Sequence, residues 1–279
     1  MLDQPVSVII PTYNRAYRIT TSIQSVLNQT YSELEVIVVD DGSTDNTEEV
    51  VSAIGDSRLK YHRLEENKGA ANARNIGVSL AHNDVIAFND SDDVWHPDKL
   101  EKQINYWNNS PESVLVYCAY KIDLPGGGIL QIPSPDEEID MLEGDIFYFL
   151  LIRSTIGTPT MVLRKSLFEE LGGFDTSYPV MEDWEFAIRM SRLGKISYVN
   201  EPLLTVEATA QDRMSNDRSE AVKMAHYQTR CRVLVKYIKE INQIGQFDLY
   251  AGEILKRAEK DGLVEPVKNM LMEMIRREN

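Results

Sequence analysis

Three short apolar runs each end in polar residues suited to binding chemistry. Residues 6–10 (VSVII) lead into Pro11-Thr12-Tyr13-Asn14-Arg15, residues 34–39 (LEVIVV) into Asp40-Asp41-Gly42-Ser43, and residues 84–88 (DVIAF) into Asn89-Asp90-Ser91-Asp92-Asp93. Like charges this crowded raise one another's pKa and strain the fold unless a cation joins them. A hard divalent ion with oxygen ligands is the natural relief. On an extended segment the side chains of an Asp-x-Asp point the same way, so Asp90 and Asp92 can address one metal. One Asp at a strand end usually caps a turn, but five from two ends point to a site. Tyr13 is either core or a face on which a base stacks. Arg74 is a solvated surface residue unless it faces the cleft, where it becomes a phosphate or carboxylate ligand.

These residues share an edge only if their runs are strands of one sheet. The runs at 6–10, 34–39 and 84–88, with a weaker one at 59–62, read as strands. Between them lie helical patterns at 16–29, with Ile19, Ile23, Val26 and Leu27 on one face, at 43–54, and in the small-residue stretch 69–81. The alternation implies right-handed crossovers, a parallel sheet covered by helices on both faces, and ligands at the carboxyl ends of the strands. The second half is less regular. It reads as a helix over 97–107, a strand over 113–117, a glycine-rich turn at 125–128, an acidic loop over 133–144 and a strand over 160–163. A short helix at 166–171, a helix over 183–193 and a strand over 196–199 follow. After about residue 219 everything reads as helix, and Val267, Met270, Leu271, Met274 and Ile275 line one face of the last one. The polar stretch 210–218 is the expected boundary.

The 279 residues suffice for a sizeable core, and 43% hydrophobic with 26% charged residues is ordinary for a globular protein. A net charge of −15 argues against nucleic acid as a partner. No apolar run approaches the roughly 20 residues of a bilayer span. The N-terminal residues show no basic-then-apolar leader. Two cysteines far apart, Cys118 and Cys231, make no metal or disulfide framework, which leaves a reducing cytoplasm as the expected compartment, with the inner face of the membrane as an alternative setting.

VSVIIPTYNR, VIVVDDGSTDNT, NKGAANARNIG, FNDSDD and, later, GTPTMVLRKSLFEELGGFDTSY followed by Met181-Glu182-Asp183-Trp184-Glu185-Phe186 resemble, in order and spacing, the family 2 glycosyltransferases. The likeness covers roughly residues 5 to 206. It implies the GT-A fold, a Rossmann-like, mostly parallel sheet with helices on both faces. Residues 1–210 would form the glycosyltransferase domain, with a nucleotide-binding half at 1–110 and an acceptor-binding half at 111–210, and residues 211–279 a helical extension. The implied activity is inverting transfer of one sugar from a nucleotide-diphosphate sugar, UDP before GDP or dTDP, to an acceptor hydroxyl on a saccharide or lipid-linked acceptor in cell-surface polysaccharide or glycolipid assembly. The implied cofactor is Mn2+ or Mg2+.

By the same resemblance Pro11, Thr12, Tyr13, Arg15, Asp40, Asp41, Arg74, Asp90, Ser91 and Asp93 belong to the nucleotide-sugar site. Thr12 and Tyr13 match residues that meet the nucleobase, and Asp40 one that recognises its ring nitrogen. Asp92, with Asp90, matches the metal ligand, and Asp183 the general base that takes the acceptor proton. Thr160, Glu182 and Trp184 fall on the acceptor side. Residue chemistry alone leaves Asp183 a helix cap and Trp184 either core or a sugar platform. Gln211-Asp212-Arg213-Met214 only distantly echoes the Gln-x-x-Arg-Trp motif of processive members, so a single-sugar transferase is expected.

A nucleotidyltransferase is disfavoured because PTYNRAY lacks a glycine-rich phosphate loop. A signalling receiver domain is disfavoured because the acidic pair follows the second strand. A catalytically inactive GT-A module, binding nucleotide-sugars or serving as a scaffold, is the main alternative. The C-terminal helices are expected to cover the acceptor cleft, form a homodimer interface or rest peripherally on a membrane. Core packing is the commonest fate of such a stripe.

Overall fold

The computed structural model describes residues 4–124, 126–207 and 219–278. The chain opens with β1 (Val6–Thr12), α1 (Ile19–Leu27), β2 (Leu34–Asp40), α2 (Thr47–Ser52), β3 (Leu59–Arg63), α3 (Ala70–Leu80) and β4 (Val85–Phe88). It continues with β5 (Asp93–Trp95), α4 (Lys99–Asn109), β6 (Ser113–Asp123), β7 (Ile129–Ile132), α5 (Phe147–Leu150), β8 (Val162–Arg164), α6 (Lys165–Glu170), α7 (Glu182–Met190) and β9 (Lys195–Glu207). Four helices follow: α8 (Glu220–Lys236), α9 (Ile238–Gln243), α10 (Phe247–Lys260) and α11 (Val264–Glu278).

Among the described residues the strands make one nine-stranded sheet in the order β3-β2-β1-β4-β8-β6-β9-β5, with β7 beside β6. The first four strands are parallel, as the alternation predicts. Beyond β4 the sheet is mixed. β8 runs antiparallel to both β4 and β6, β9 is parallel to β6, and β5 pairs antiparallel with β9. β1 and β2 are buried throughout, as central strands under helices on both faces must be. Their side chains alternate. Val8 and Ile10 join the core of α1, α2 and α4, while Ile9 joins the opposite core with α3, α7 and the C-terminal helices.

Three departures from the sequence reading have local causes. The helix read from residue 43 begins at Thr47, because the backbone N–H groups of Ser43, Thr44 and Asp45 are taken by the side chains of Asp40 and Asn14. The strand read over 160–163 starts at Val162, after a 3-10 turn at Thr158–Thr160. The strand read over 196–199 extends to Glu207, bent by register shifts near Pro202 that a periodicity argument reads as an end.

The apolar stripe of α11 is intrachain core. Val267 and Leu271 are buried in the cluster that holds Trp184 and Phe186, with Met270, Met274 and Ile275 packed against it. That stripe is therefore not available as a membrane-resting or dimer face, which corrects those two expectations for it. No helix among the described residues is long and apolar enough to cross a membrane. The expected boundary at 210–218, with Gln211 and Arg213, lies outside the described residues.

The small residues of α3 let it lie close on the sheet. A Cβ on Gly77 would sit 2.3 Å from Cγ2 of Ile9, in the middle of β1. Gly77→Val should therefore cost at least ~2 kcal/mol, since overpacking dominates the small gain in helix propensity over glycine. Urea unfolding would measure it, and a variant as stable as the parent would refute the close-packing argument.

Candidate active site

The carboxyl ends of β1, β2 and β4 lie side by side, and their loops are tied together. Asn14 adopts a left-handed conformation (φ 52°), which Asn tolerates better than most residues. Its Oδ1 accepts the N–H of Thr44 at 2.8 Å and of Asp45 at 3.3 Å, and its own N–H donates to Ser43 Oγ at 2.8 Å. Beside this knot Tyr13 is exposed, and Thr12 Oγ1 is buried without a hydrogen-bond partner among the described residues. Pro11 is buried within β1, and Arg15, partly exposed, has its N–H on Thr47 Oγ1.

The five acids at this edge have separate tasks. Asp40 is fully buried, and its oxygens accept the Ser43 N–H and the Tyr61 hydroxyl. Each oxygen thus accepts one hydrogen bond within the loop and keeps a second lone pair. Asp41 accepts the N–H groups of Lys68 at 2.9 Å and Gly69 at 2.7 Å, which fixes the approach to α3. Burial and the neighbouring Asp40 raise its pKa against those two bonds. Asp93 is buried at the start of β5. Asp90 and Asp92 flank Ser91 in a turn closed by the Asp93 N–H on the Asp90 carbonyl (3.2 Å). That turn corrects the premise that the Asp-x-Asp is extended, so strand alternation does not align its side chains. Asn89 and Ser22 brace the turn: Asn89 Nδ2 donates to Ser22 Oγ, and Ser22 Oγ to the Asp90 carbonyl.

Arg74 faces the cleft. It is 6% exposed and forms ion pairs with Asp90 (Nη2–Oδ1, 2.7 Å) and Glu182 (Nη1–Oε1, 2.8 Å). Burial opposes its charge, but Asp90, Glu182 and the more distant Asp183 outweigh that and raise its pKa. Arg74 thus joins the loop after β4 to the start of α7. Glu182, read as an acceptor residue, is a partner of this arginine.

Asp183 is one residue further on. Its Oδ2 accepts the backbone N–H of Thr158 at 3.3 Å and the Thr158 hydroxyl at 3.4 Å, and its Oδ1 accepts the Trp184 N–H at 2.8 Å. Burial first, and the adjacent Glu182 carboxylate second, push its pKa up to about 6, against the pull of Arg74. Met181, just before, has φ 60°, a conformation that costs a non-glycine residue ~1–3 kcal/mol and gathers at functional sites.

Two acceptor-side expectations are corrected. Trp184 is 1% exposed, and its indole Nε1–H donates to the carbonyls of Leu150 (2.6 Å) and Arg153 (3.1 Å). Thr160 is fully buried, and its hydroxyl donates to the Gly157 carbonyl at 2.6 Å. Neither offers a surface to a sugar, because each closes the loop that carries Thr158. The sequence assigns no individual role to Asn14, Asn89, Thr158 or Met181. For the asparagines a signal was present, a short polar amide just past a strand end. For Met181 there was none.

Among the described residues no three His, Cys, Asp or Glu side chains form a ready metal cluster. A cluster is not required of an ion held by one or two carboxylates and the phosphates of its substrate. Asp92, partly exposed on the turn, suits that mode, and Asp90 stands beside it on Arg74.

The family model "Glycosyl transferase family 2" matches residues 7–172. A glycosyltransferase of Rickettsia typhi is 33% identical over 200 residues, 71% of this chain and 62% of that protein, so the chain spans less than two thirds of this relative's length. An Escherichia coli protein, UDP-Glc:alpha-D-GlcNAc-diphosphoundecaprenol beta-1,3-glucosyltransferase WfgD, is 36% identical over 201 residues, 72% of this chain and 75% of that one. Residues 1–349 of S. aureus TarS, solved with UDP-GlcNAc, share the fold with a TM-score of 0.67 at 20% identity, over 98% of this chain and 90% of that chain. So does the mannosyltransferase PcManGT of Pyrobaculum calidifontis, solved with GDP-Man and Mn2+, with a TM-score of 0.63 at 20% identity over 96% and 79%. With its motifs in order, its parallel half-sheet ending in acids, and a family model over more than half its length, the chain belongs to glycosyl transferase family 2.

Proposed function

We propose that this protein is an inverting transferase that moves one sugar from a UDP-sugar to a hydroxyl of a lipid-linked saccharide diphosphate. The observation that carries the reading is Asp183, a carboxylate with a pKa near 6, held by Thr158 and standing next to the Arg74 ion-pair system of the donor half. A base must be ionised at working pH yet basic enough to accept a proton, and a pKa just below neutrality meets both demands. UDP and the lipid-linked acceptor rest on the likeness to the Escherichia coli relative, whose name states both.

The donor would lie across the ends of β1, β2 and β4. The exposed ring of Tyr13 supplies a stacking face for the base, and the buried Thr12 hydroxyl an unused hydrogen-bonding group nearby. Asp92, with Asp90, would hold a Mn2+ or Mg2+ ion. When bound, the ion supplies positive charge to the departing diphosphate. Asp183 takes the proton from the acceptor hydroxyl as its oxygen attacks the anomeric carbon. The bond from that carbon to the diphosphate oxygen breaks, and the electron pair leaves with UDP. Attack from the side opposite the leaving group inverts the anomeric centre.

Three outcomes test this. Asp183→Asn should lower kcat by ~10²–10⁴ while leaving UDP affinity unchanged, because it removes only the proton acceptor. Turnover close to that of the parent would end the base assignment. In the parent protein kcat should fall as pH drops through about 6: below that pH Asp183 holds its proton, and above it the carboxylate is free to act. A profile flat from pH 5 to 8 would place the base elsewhere. Asp92→Asn should lose the Mn2+-dependent part of UDP binding in calorimetry with the fold intact. Equal UDP affinity of the parent with and without Mn2+ would remove the metal role from Asp92.

A further inference from the structure

Two arginines of the C-terminal helices have no acid attached to them among the described residues. Arg230, on α8, holds its guanidinium 5.0 Å from the ring centroid of Trp184, the residue that follows Asp183. Arg257, on α10, is near enough for its charge to oppose that of Arg230. Both side chains are only partly exposed. Neither guanidinium has a carboxylate or carbonyl partner among the described residues. Asp261 is held by Tyr227 and Lys223, and Glu185 by Arg189 and Lys236.

In a chain with 44 acids and 29 lysines and arginines, two neighbouring guanidiniums with no ion pair among the described residues are out of character. Burial and the neighbouring Arg257 disfavour the charge on Arg230 and lower its pKa to about 10, so the cation is held at a cost that an anion would remove. Guanidinium groups bind phosphate oxygens through paired N–H donors, which makes arginine the suited cation for a phosphate. The stacking on Trp184 leaves the rim of the planar fork for that purpose.

We propose that Arg230, assisted by Arg257, binds a phosphate group of the acceptor, the diphosphate through which the receiving sugar is linked to its carrier. This rests on the reading of the protein as a transferase to a lipid-linked diphosphate. In a glycosyl diphosphate the phosphates lie one sugar ring from the hydroxyl that attacks. A phosphate site would then stand near the base without touching it, and Arg230 stacks on Trp184, the residue that follows Asp183. The donor diphosphate has its own place, at the Asp90–Asp92 turn.

The test uses inorganic pyrophosphate titrated calorimetrically into the full chain in EDTA, where metal-dependent donor binding is off. The parent and Asp92→Asn should bind it alike, and Arg230→Gln should bind it at least tenfold more weakly. Arg230→Gln should keep the parent's unfolding midpoint and its affinity for UDP with Mn2+. Arg230→Lys, which keeps charge but not the fork, should recover only part of the affinity. No binding by the parent, equal binding by Arg230→Gln, or loss in Asp92→Asn alone would overturn the proposal. So would capture on phosphatidylglycerol vesicles that Arg230→Gln abolishes without any pyrophosphate binding, since the phosphate would then be a bilayer headgroup. Failure of the transferase reading shows separately, as absence of UDP binding with Mn2+.

Discussion

The site depends on one buried guanidinium. Arg74 grows from the small-residue helix α3 and holds Asp90 with one nitrogen and Glu182 with another. Taking three charges out of water is costly, and mutual attraction repays that only with close geometry on both sides. The arrangement is therefore intolerant of drift. α3 has to stay close to β1, which Gly77 allows, and the first turn of α7 has to arrive with its acids facing inward. Loss of the arginine would leave Asp90 and Glu182 without this counter-charge, and would disturb the turn after β4 and the start of α7 together.

The same ion pairs explain why carboxylates of one chemical type act differently. Asp40 and Asp41 accept backbone N–H groups and a tyrosine hydroxyl and so brace their loops. Asp90 is neutralised by Arg74 and stays near the opening. Asp183 has Glu182 as its neighbour and Arg74 only at second hand, so burial dominates and its proton affinity rises. Environment sorts the acids, and composition does not.

The edge formed by β1, β2 and β4 was legible in sequence because its strands are short, largely apolar and each followed at once by polar residues, a pattern that parallel strands under helices impose. The half of the sheet beyond β4 was not. β5 and β8 have three residues each, too few for any period to register, and β9 is bent where it pairs with β6. The contact that unites the halves, Arg74 with Glu182, spans 108 residues of chain, a separation on which local patterning is silent. Trp184 was ambiguous in sequence for a physical reason: an indole suits a sugar face and a core equally, and only the carbonyls of Leu150 and Arg153 decide between them.

The knot at Asn14 has a thermodynamic consequence. One side-chain oxygen gathers the N–H groups of Thr44 and Asp45, and the backbone of the same residue is fastened to Ser43. The loops after β1 and β2 are thus stapled to each other within the fold itself. Their conformational entropy is surrendered during folding, so little of it remains to be lost when a ligand arrives. Whatever meets this end meets walls already fixed on both sides of an exposed aromatic ring.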